Sequence, residues 1–215
     1  MPIVLFDLDG TLTQRDTYFH FLLLCARKFG VRWRVVYRVP AYLALYSLGR
    51  ITRSRLKEVF LETVLQGVSL VRLEPVVDRY VSVLIERGLN LALLHVLRQH
   101  LEMGDRVILV TASFDLYVER LAERLKIAEV VCTRAEVNRG LITGRILGEN
   151  CRGQEKVRRL EGLLASGDWA GSILYTDHHA DLPLLKRVSH GVLVNPGPRT
   201  KALLRGYNFV PFTAQ

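Results

Sequence analysis

Near its start the chain reads Phe6-Asp7-Leu8-Asp9-Gly10-Thr11-Leu12-Thr13, directly after the mainly apolar residues 2–5. The apolar residues predict a buried strand that carries the polar residues at its carboxyl end. Asp7 and Asp9 are two positions apart, so their side chains point to the same side of an extended chain, and Gly10 allows a sharp turn after them. One carboxylate can then attack a substrate while the other transfers protons. The alternative is that either carboxylate only caps a turn.

A helical segment follows this octapeptide, because residues 14–89 show helical periodicity without strand alternation. Helices are expected around 16–29, 33–48, 52–65 and 70–87. We expect this segment to form a separate all-helical cap.

The sequence pattern changes at residue 90, after which predicted apolar strands alternate with predicted helices. We expect a buried strand at 106–110, a hairpin turn at 137–141 before a strand at 141–147, and a helix near 180–187. Such alternation indicates an α/β core with a parallel sheet that is covered by helices on both faces. We therefore expect a core of residues 1–13 and 90–215, interrupted after its first strand by the helical cap.

Polar residues also follow two later strands. Ligands of open α/β sheets bind beyond the carboxyl ends of the strands, so these groups should meet at one edge. The three strand ends carry Asp7 and Asp9, Thr111 and Ser113, and Asp177 and Asp181.

Positive charge is concentrated in the cap. The chain has a formal net charge of +9, and no Asp or Glu occurs between residues 17 and 57. This field favours an anionic partner such as a phosphate ester, nucleic acid or acidic lipid, although it would also suit a merely solvated surface. The nine basic residues of that stretch are Arg27, Lys28, Arg32, Arg34, Arg38, Arg50, Arg53, Arg55 and Lys57.

The octapeptide resembles the first motif of the haloacid dehalogenase-like (HAD) phosphatases, Asp-x-Asp-Gly-Thr. Three further segments resemble the other motifs of that family, in the same order. They are Val110-Thr111-Ala112-Ser113, Cys151-Arg152-Gly153-Gln154-Glu155-Lys156, and the run from Tyr175 to Leu185. The helical insert resembles the cap of the phosphoserine-phosphatase-like subgroup (subfamily IB). The resemblance implies a Rossmann-like parallel sheet and hydrolysis of a phosphomonoester.

The resemblance also implies roles for individual residues. Asp7 would be the nucleophile that forms a phospho-aspartyl intermediate, and Asp9 would be the general acid and base. The phosphate would be bound by Gly10, Thr111, Ala112 and Lys156.

A metal site is implied at the same place. Mg²⁺ would be held by the carboxylates of Asp7 and Asp177 and by the main-chain carbonyl of Asp9, which are the oxygen ligands that this ion prefers. Asp181 would orient Lys156 or a metal-bound water.

Three candidate site residues, Thr111, Lys156 and Asp16, each have an alternative interpretation. Thr111 would also suit a turn at a strand end, and Lys156 would suit a solvated position in the first turn of a helix. Asp16 stands where related capped phosphatases carry an acid at the cap entrance, but it equally suits the N-cap of a helix.

The fourth motif departs from the subgroup pattern, since His178 and Ala180 stand where Ser and Asn are common. This change affects hydrogen bonding around the metal rather than an essential carboxylate. His178 and His179 are expected to be surface or outer-shell residues, because the other proposed ligands are hard oxygens.

The expected substrate is a small phosphorylated metabolite such as phosphoserine. Arg53 and Arg55 of the cap are expected to contribute to its capture. The apolar and basic residues 33–46 resemble those of phosphatidylglycerophosphate phosphatases, so a lipid phosphate and an anionic membrane surface are the alternative. The same residues would also suit a helical bundle that packs its own Leu and Tyr side chains. A non-catalytic anion-binding module on the same fold is the other alternative. Nucleic acid is not expected as a partner, and no oligomeric state is predicted.

The cysteines and the N-terminus bear on location. Cys25, Cys132 and Cys151 are scattered and odd in number, as expected for reduced thiols. The N-terminal residues lack the pattern of a secretory signal. We expect a cytoplasmic protein, peripheral at the inner membrane face if its substrate is a lipid.

Overall fold

The computed structural model describes residues 2–205 and 209–212, without the side chains of Arg32 and Arg34. Its strands are β1 (Ile3–Phe6), β2 (Arg106–Phe114), β3 (Glu129–Asn138), β4 (Leu141–Leu147), β5 (Ile173–Thr176), β6 (His190–Val194) and β7 (Val210–Phe212). Within the described residues they form a sheet of order β4-β3-β2-β1-β5-β6-β7. Only the β3–β4 pair is antiparallel. The sheet is therefore mixed, and it is parallel throughout its centre.

The helices are α1 (Thr17–Lys28), α2 (Arg32–Ser47), α3 (Arg53–Leu65), α4 (Leu70–Arg87), α5 (Leu91–Glu102), α6 (Asp115–Arg124), α7 (Gln154–Glu161), α8 (Leu182–Leu185) and α9 (Pro198–Leu203). Helices α1 to α4 lie between β1 and β2, which confirms an α/β fold with a helical insert after the first strand. Side-chain oxygens begin several of these helices by accepting a main-chain N–H three residues on. These caps are Asp16, Thr52, Ser69 and Asn90.

Alternating residues of β1 enter two different apolar layers. Val4 and Phe6 pack with residues of the insert, α5 and α6, whereas Ile3 and Leu5 pack with residues of α7 and α8. Both faces of the central sheet are thus covered, as the long apolar strands indicate.

The two ends of the insert lie side by side. Thr13 forms an isolated antiparallel bridge with Leu89, and the main-chain N–H of Asn90 donates to Leu12 at 2.9 Å. The insert therefore leaves and re-enters the core at one place, directly beside the end of β1.

The observed elements differ from the predicted ones mainly at strand ends. Strand β2 continues to Phe114, which pairs with Thr133 of β3 beyond a register shift that follows Val110. The hairpin turn is confirmed, with Arg139 and Gly140 both at positive φ. The helix expected near 180–187 is a 3₁₀ turn followed by the short α8.

Within the described ranges, no helix combines the length and the apolar character needed to cross a bilayer. Cys25, Cys132 and Cys151 are buried free thiols.

Candidate active site

The loop after β1 is shaped by close contact with Asp177. The main-chain N–H of Asp7 donates to the carbonyl of Tyr175 on β5 at 2.9 Å, so this loop continues the sheet register. Gly10 then has φ of +77°, and a Cβ on it would lie 2.3 Å from Oδ2 of Asp177. Both the positive φ and the lack of space require glycine here. The turn thereby brings the first and fourth predicted motifs into contact.

Lys156 joins the third motif to this cluster. Its Nζ donates to Oδ1 of Asp7 at 2.7 Å and to Oδ2 of Asp181 at 2.9 Å, and its side chain is only 3% exposed. Asp181 is held in turn by the hydroxyl of Thr176, at 2.8 Å. The alternative of a solvated lysine is therefore wrong. The buried ammonium of Lys156 thus links Asp7 of the first motif to Asp181 of the fourth.

Burial and mutual repulsion perturb the ionisation of these groups. Burial raises the pKa of the Asp7 carboxyl to about 8, while the ammonium of Lys156 opposes this rise. Burial likewise raises the pKa of Asp177 to about 6, and the carboxylate of Asp181 adds to the rise. Burial alone would lower the pKa of Lys156, but Asp181 and Asp7 outweigh it and hold that pKa above its ordinary range. The carboxylates here exceed the positive charge that faces them.

Asp9 faces the insert and the end of β2. Its Oδ1 accepts both the N–H and the hydroxyl of Thr17, at 2.6 Å each, and its Oδ2 accepts the hydroxyl of Ser113 at 2.6 Å. Burial, and then the carboxylate of Asp16, raise the pKa of Asp9 against these hydrogen bonds, which lower it. A raised pKa suits a carboxyl group that must donate a proton.

Thr111 and its neighbours lie at the end of β2. Thr111 lies within β2 and is fully buried, and its hydroxyl accepts the N–H of Ser113 at 3.0 Å. Ala112 and Ser113, but not Thr111, line the cavity beside Asp7. The structure thus brings Ala112 to the site and places the Thr111 side chain behind it.

A cavity of about 660 Å³ opens between the insert and the strand ends. It is bounded on the core side by Asp7, Asp9, Gly10, Ala112, Lys156, Asp177 and Asp181. Its insert side is formed by Asp16, Tyr18, Phe19, Tyr46, Arg53, Leu56, Lys57 and Phe60. One cavity therefore holds a charged end and a largely aromatic and apolar wall.

The three predicted cap residues have different positions. Asp16 lines the cavity and also caps α1, since its side chain accepts the N–H of Phe19 at 2.9 Å, so both interpretations of this residue hold. Arg53 lines the cavity. The structure does not bring Arg55 there, because that guanidinium is paired with Glu58 and Glu62 at 3.1 and 2.9 Å.

Lys57 is a site residue that the sequence did not single out. Its ammonium donates to the carbonyl of Ala112 and to Oδ1 of Asn150, the latter at 3.1 Å. It also lies 5.3 Å from the ring centre of Tyr18 and 4.4 Å from that of Phe114. Burial lowers its pKa to about 8. In sequence Lys57 is one of nine basic residues in an acid-free stretch, and nothing there distinguishes it.

His178 and His179 stack on each other with ring centres 4.1 Å apart. Nδ1 of His178 accepts the N–H of Ala180 at 2.9 Å, so a neutral ring carries its proton on Nε2. His178 lines the cavity, whereas His179 lies at an adjoining recess. Within residues 2–205 and 209–212, no three His, Cys, Asp or Glu side chains are arranged to hold a metal ion.

The donor set nevertheless fits Mg²⁺. The predicted ligands are two carboxylates, from Asp7 and Asp177, and the carbonyl of Asp9, with water completing the shell, so no third side chain is needed. Lys156 is the one cation that ion-pairs with any of Asp7, Asp177 and Asp181 in the described part of the chain. This excess of buried negative charge suits a divalent cation with hard oxygen ligands.

Comparison with known proteins identifies a matching family and several proteins of similar sequence. A family model described as haloacid dehalogenase-like hydrolase matches residues 4–186. The chain is 31% identical to Protein CicA of Caulobacter vibrioides over 185 residues, which are 85% of this chain and 81% of that protein. It is 28% identical to the phosphoserine phosphatase SerB1 of Mycobacterium tuberculosis over 212 residues, 93% of this chain and 67% of that protein.

Solved structures share the fold. A protein of unknown function from Bordetella pertussis Tohama I is 28% identical, with a TM-score of 0.85 over 97% of each chain. A probable phosphoserine phosphatase from Vibrio cholerae is 19% identical, with a TM-score of 0.71 over 94% of this chain and 58% of that chain. The second likeness concerns the fold alone.

Proposed function

The chain belongs to the haloacid dehalogenase-like hydrolase family and is a phosphatase, and from this premise we propose that it hydrolyses a small phosphomonoester through a phospho-aspartyl intermediate on Asp7. The observation that carries this proposal is the contact of Asp7 with the buried ammonium of Lys156, inside a cavity that Asp9 also lines. That arrangement combines a nucleophile, a positive charge and a carboxyl group of raised pKa within one site.

The reaction has two steps. Oδ of Asp7 attacks phosphorus, the bond from phosphorus to the substrate oxygen breaks, and Asp9 donates its proton to the leaving oxygen. Asp9 then accepts a proton from water, which attacks the phosphorus of phospho-Asp7 and releases phosphate and the free carboxylate. Lys156 neutralises charge that is spread over the phosphoryl oxygens, and the main-chain N–H of Ala112 donates to one of them.

Mg²⁺ is the proposed cofactor, held by Asp7, Asp177 and the carbonyl of Asp9. When bound it would neutralise the phosphoryl oxygens and keep the Asp7 carboxylate ionised. Asp181 positions Lys156 through its 2.9 Å hydrogen bond and so maintains the ammonium beside Asp7.

The insert is proposed to act as a lid over this site, as residues 14–89 leave and re-enter the core beside Asp7. A lid excludes water from the reacting groups and selects the part of the substrate beyond the phosphate. Phosphoserine is the first substrate to test, since the relative SerB1 bears the name of that activity. The proposed location is the cytoplasm.

Turnover of p-nitrophenyl phosphate with and without EDTA tests the reaction class. We expect Mg²⁺-dependent release of phosphate from the native protein and none from Asp7→Asn. A panel of phosphorylated metabolites then ranks the substrates by kcat/KM. If the native protein binds these esters but hydrolyses none in excess Mg²⁺, it is an anion-binding module on this fold.

The exposed face of α2 favours a second candidate, a lipid-phosphate phosphatase at an anionic membrane surface. Trp33, Val36 and Tyr37 lie three and four positions apart on that helix and are 61%, 65% and 76% exposed. Arg50 follows them in the acid-free stretch, whereas Arg38 of α2 is ion-paired with Glu62 at 3.6 Å. Such a face suits the interfacial region of a bilayer.

Flotation with vesicles of phosphatidylcholine and 30% phosphatidylglycerol, against vesicles of phosphatidylcholine alone, tests this candidate. Binding to the anionic vesicles that Trp33→Ser abolishes would support it. If the native protein stays in the unbound fraction with both kinds of vesicle, the lipid-phosphate candidate is excluded.

A further inference from the structure

Main-chain hydrogen bonds join the insert to the β3–β4 hairpin. The N–H of Ile142 on β4 donates to the carbonyl of Val68, in the turn between α3 and α4, at 3.0 Å. The N–H of Leu70, at the start of α4, donates to the carbonyl of Gly140 in the hairpin turn, also at 3.0 Å. Because the hairpin belongs to the core, these bonds attach the insert to the core at a second place, away from the linkers beside β1.

Helix α3 also packs closely against β4. Gly144 has φ of +92°, and a Cβ on it would lie 2.7 Å from Cα of Glu62, so the two backbones leave no space for a side chain. The carboxylate of Glu58 accepts the main-chain N–H of Ile146 at 3.1 Å. Movement of α3 away from the hairpin would open this close contact and break this hydrogen bond.

Helices α1 and α4 are held in place as well. Thr17, at the start of α1, binds Asp9 through two hydrogen bonds, and its carbonyl accepts the hydroxyl of Tyr80 on α4 at 2.7 Å. Arg120 of α6 pairs with Glu74 of α4 at 3.4 Å. Each of α1, α3 and α4 also buries six residues. These three helices are therefore attached to the core by both polar contacts and apolar packing.

Helix α2 differs from the other three helices of the insert. None of its described side chains is buried, and Trp33, Val36 and Tyr37 are each more than half exposed. The ion pair of Arg38 with Glu62 of α3 spans 3.6 Å and is partly exposed, so it holds α2 only weakly. A segment with few buried contacts has a low free energy of local opening. Helix α2 is thus the part of the insert that can move most easily.

A glycine stands at each end of α2. Gly30 precedes it with φ of +71°, and Gly49 follows it with φ of +67°. Each ends a helix in the left-handed conformation, α1 and α2 respectively. A Cβ on either glycine would meet no described heavy atom within 4 Å. The chain can therefore change direction at both positions without displacing a neighbour, as hinge residues must.

Helix α2 borders the active-site cavity through Tyr46 in its last turn. The other insert residues that line the cavity belong to α1, to α3 and to the residues just before α1. Movement of α2 about Gly30 and Gly49 would therefore widen the cavity on one side. It would leave the groups around Asp7 and Asp9 in place.

We propose that α2 alone is the movable lid of this site, and that α1, α3 and α4 stay fixed to the core when substrate enters and product leaves. This inference rests on the proposed function for the role of the insert as a lid, and it confines that role to residues 31–48. The β3–β4 hairpin is the anchor that prevents the insert from moving as one body.

A disulfide between the insert and the hairpin tests this anchor. The hydrogen bonds of Ile142 and Leu70 flank the antiparallel bridge of Ser69 with Leu141, so Ser69 and Leu141 form a non-hydrogen-bonded pair. The Cα atoms of such a pair lie about 4.5 Å apart, which a disulfide can span. The oxidised Ser69→Cys/Leu141→Cys protein should hydrolyse p-nitrophenyl phosphate within about twofold of the rate of its reduced form. Loss of turnover on oxidation, with recovery in dithiothreitol, would overturn the proposal.

Substitutions at the two ends of α2 should impair turnover instead. Gly30→Ala and Gly49→Ala restrict the backbone at left-handed positions, and we expect each to lower kcat/KM for p-nitrophenyl phosphate by about fivefold or more. Gly148→Ala is the matched control, because Gly148 also has positive φ, at +75°, and equally open surroundings beyond the end of β4. It should keep the native kinetics. Native kinetics in both Gly30→Ala and Gly49→Ala would contradict a hinge at these residues.

Relaxation-dispersion NMR of the main-chain amides detects lid movement on the microsecond to millisecond timescale without turnover. We expect dispersion at amides of α2, Gly30 and Gly49, and none at the amides of Leu70 and Ile142, which cross between insert and hairpin. Dispersion at those two amides together with α2 would show that the whole insert moves, and its absence from α2 would show that α2 is fixed. Either result overturns the proposal.

The same measurement separates this inference from the proposed function. A protein that hydrolyses no phosphomonoester can still show dispersion confined to α2, in which case the assignment of the movable helix stands and the proposed function falls. Turnover together with dispersion throughout the insert has the opposite meaning.

Discussion

Thr17 donates both its main-chain N–H and its hydroxyl to the same carboxylate oxygen of Asp9, at 2.6 Å each. Thr17 is the first residue of α1, so the start of the helical insert orients the proposed acid and base of the core. The hydroxyl is held in turn by Tyr117 at 2.8 Å. Folding of the insert and orientation of Asp9 are therefore coupled.

Removal of this hydroxyl should impair proton transfer. We expect Thr17→Val to lower kcat for a phosphomonoester by about tenfold, because one charge-assisted hydrogen bond contributes about 1.5–3 kcal/mol. Hydrogen bonds from Thr17 lower the pKa of Asp9, so its loss should also shift the alkaline limb of kcat/KM to higher pH. Thr17→Ser keeps both donors and should behave like the native protein. A Thr17→Val profile identical to the native one would contradict this role for Asp9.

Metal exchange tests the proposed oxygen ligands. Exhaustive chelation should abolish turnover and Mg²⁺ should restore it, whereas Ca²⁺ should inhibit because its larger and looser shell misplaces Asp7 and the phosphate. Asp177→Ala should raise the Mg²⁺ concentration needed for half-maximal activity by more than tenfold. Full activity of the native protein in excess EDTA would exclude this use of the metal.

The buried carboxyls predict how the stability of the metal-free protein depends on pH. The pKa values of Asp7 and Asp177 rise from 3.8 to about 8 and about 6, so between pH 4 and these values the native state holds protons that the unfolded state has released. The free energy of unfolding should therefore fall as pH rises from 4 to 8, by about 1.4 kcal/mol per pH unit for each retained proton. Asp7 and Asp177 both contribute to this fall up to about pH 6, and Asp7 alone contributes to it above pH 6.

Urea denaturation in EDTA between pH 5 and 9 would measure this fall. Asp7→Asn should reduce the slope between pH 6 and 8, and Asp78→Asn, at an exposed position of α4, should not. Saturating Mg²⁺ should flatten the curve, because it favours the ionised carboxylates. A native slope that is already flat in EDTA would contradict the raised pKa values.

Lys57 connects α3 of the insert to the loop that carries Ala112. Lys57→Met keeps most of the apolar stem but removes the ammonium, so that the carbonyl of Ala112 and the amide oxygen of Asn150 share the single hydroxyl proton of Thr133 and one of them loses its donor. We expect a loss of about 1–3 kcal/mol in the free energy of unfolding, since an unsatisfied buried acceptor is costly. We also expect a lower kcat, because Ala112 borders the phosphate site. Lys28→Met, at an exposed position of α1, is the control. Unchanged stability and kcat in Lys57→Met would contradict this connection.

The sequence predicted the fold well where periodicity was strong. The insert helices α1 to α4 begin and end within one residue of their predicted bounds, because polar caps such as Asp16 and Thr52 precede amphipathic runs. Strand β2 was predicted too short, since its last pair, Phe114 with Thr133, follows a register shift after Val110 that the sequence pattern does not show. Strand β7 was not predicted, because the three residues that form it depend on pairing with β6.

The site was predicted most completely where a residue lies in a motif. The four motif segments placed Asp7, Asp9, Lys156 and Asp177 at one cavity, as the shared edge of a parallel sheet requires. The sequence did not distinguish the functional residues of the insert in the same way. Arg55 and Lys57 are indistinguishable in sequence, yet the geometry of α3 directs one to Glu58 and Glu62 and the other to Ala112. Such a difference depends on tertiary packing.

Mass spectrometry of the acid-quenched protein tests most directly whether Asp7 carries the phosphoryl group. The native protein, quenched during turnover in Mg²⁺, should yield a peptide containing Asp7 that is heavier by one phosphoryl group, about 80 Da, and hydroxylamine should remove that mass as expected of an acyl phosphate. Asp7→Asn should show neither the added mass nor turnover, with a folded state judged by circular dichroism. A fully active Asp7→Asn protein, or a phosphoryl group found on any residue other than Asp7, would contradict the proposed mechanism.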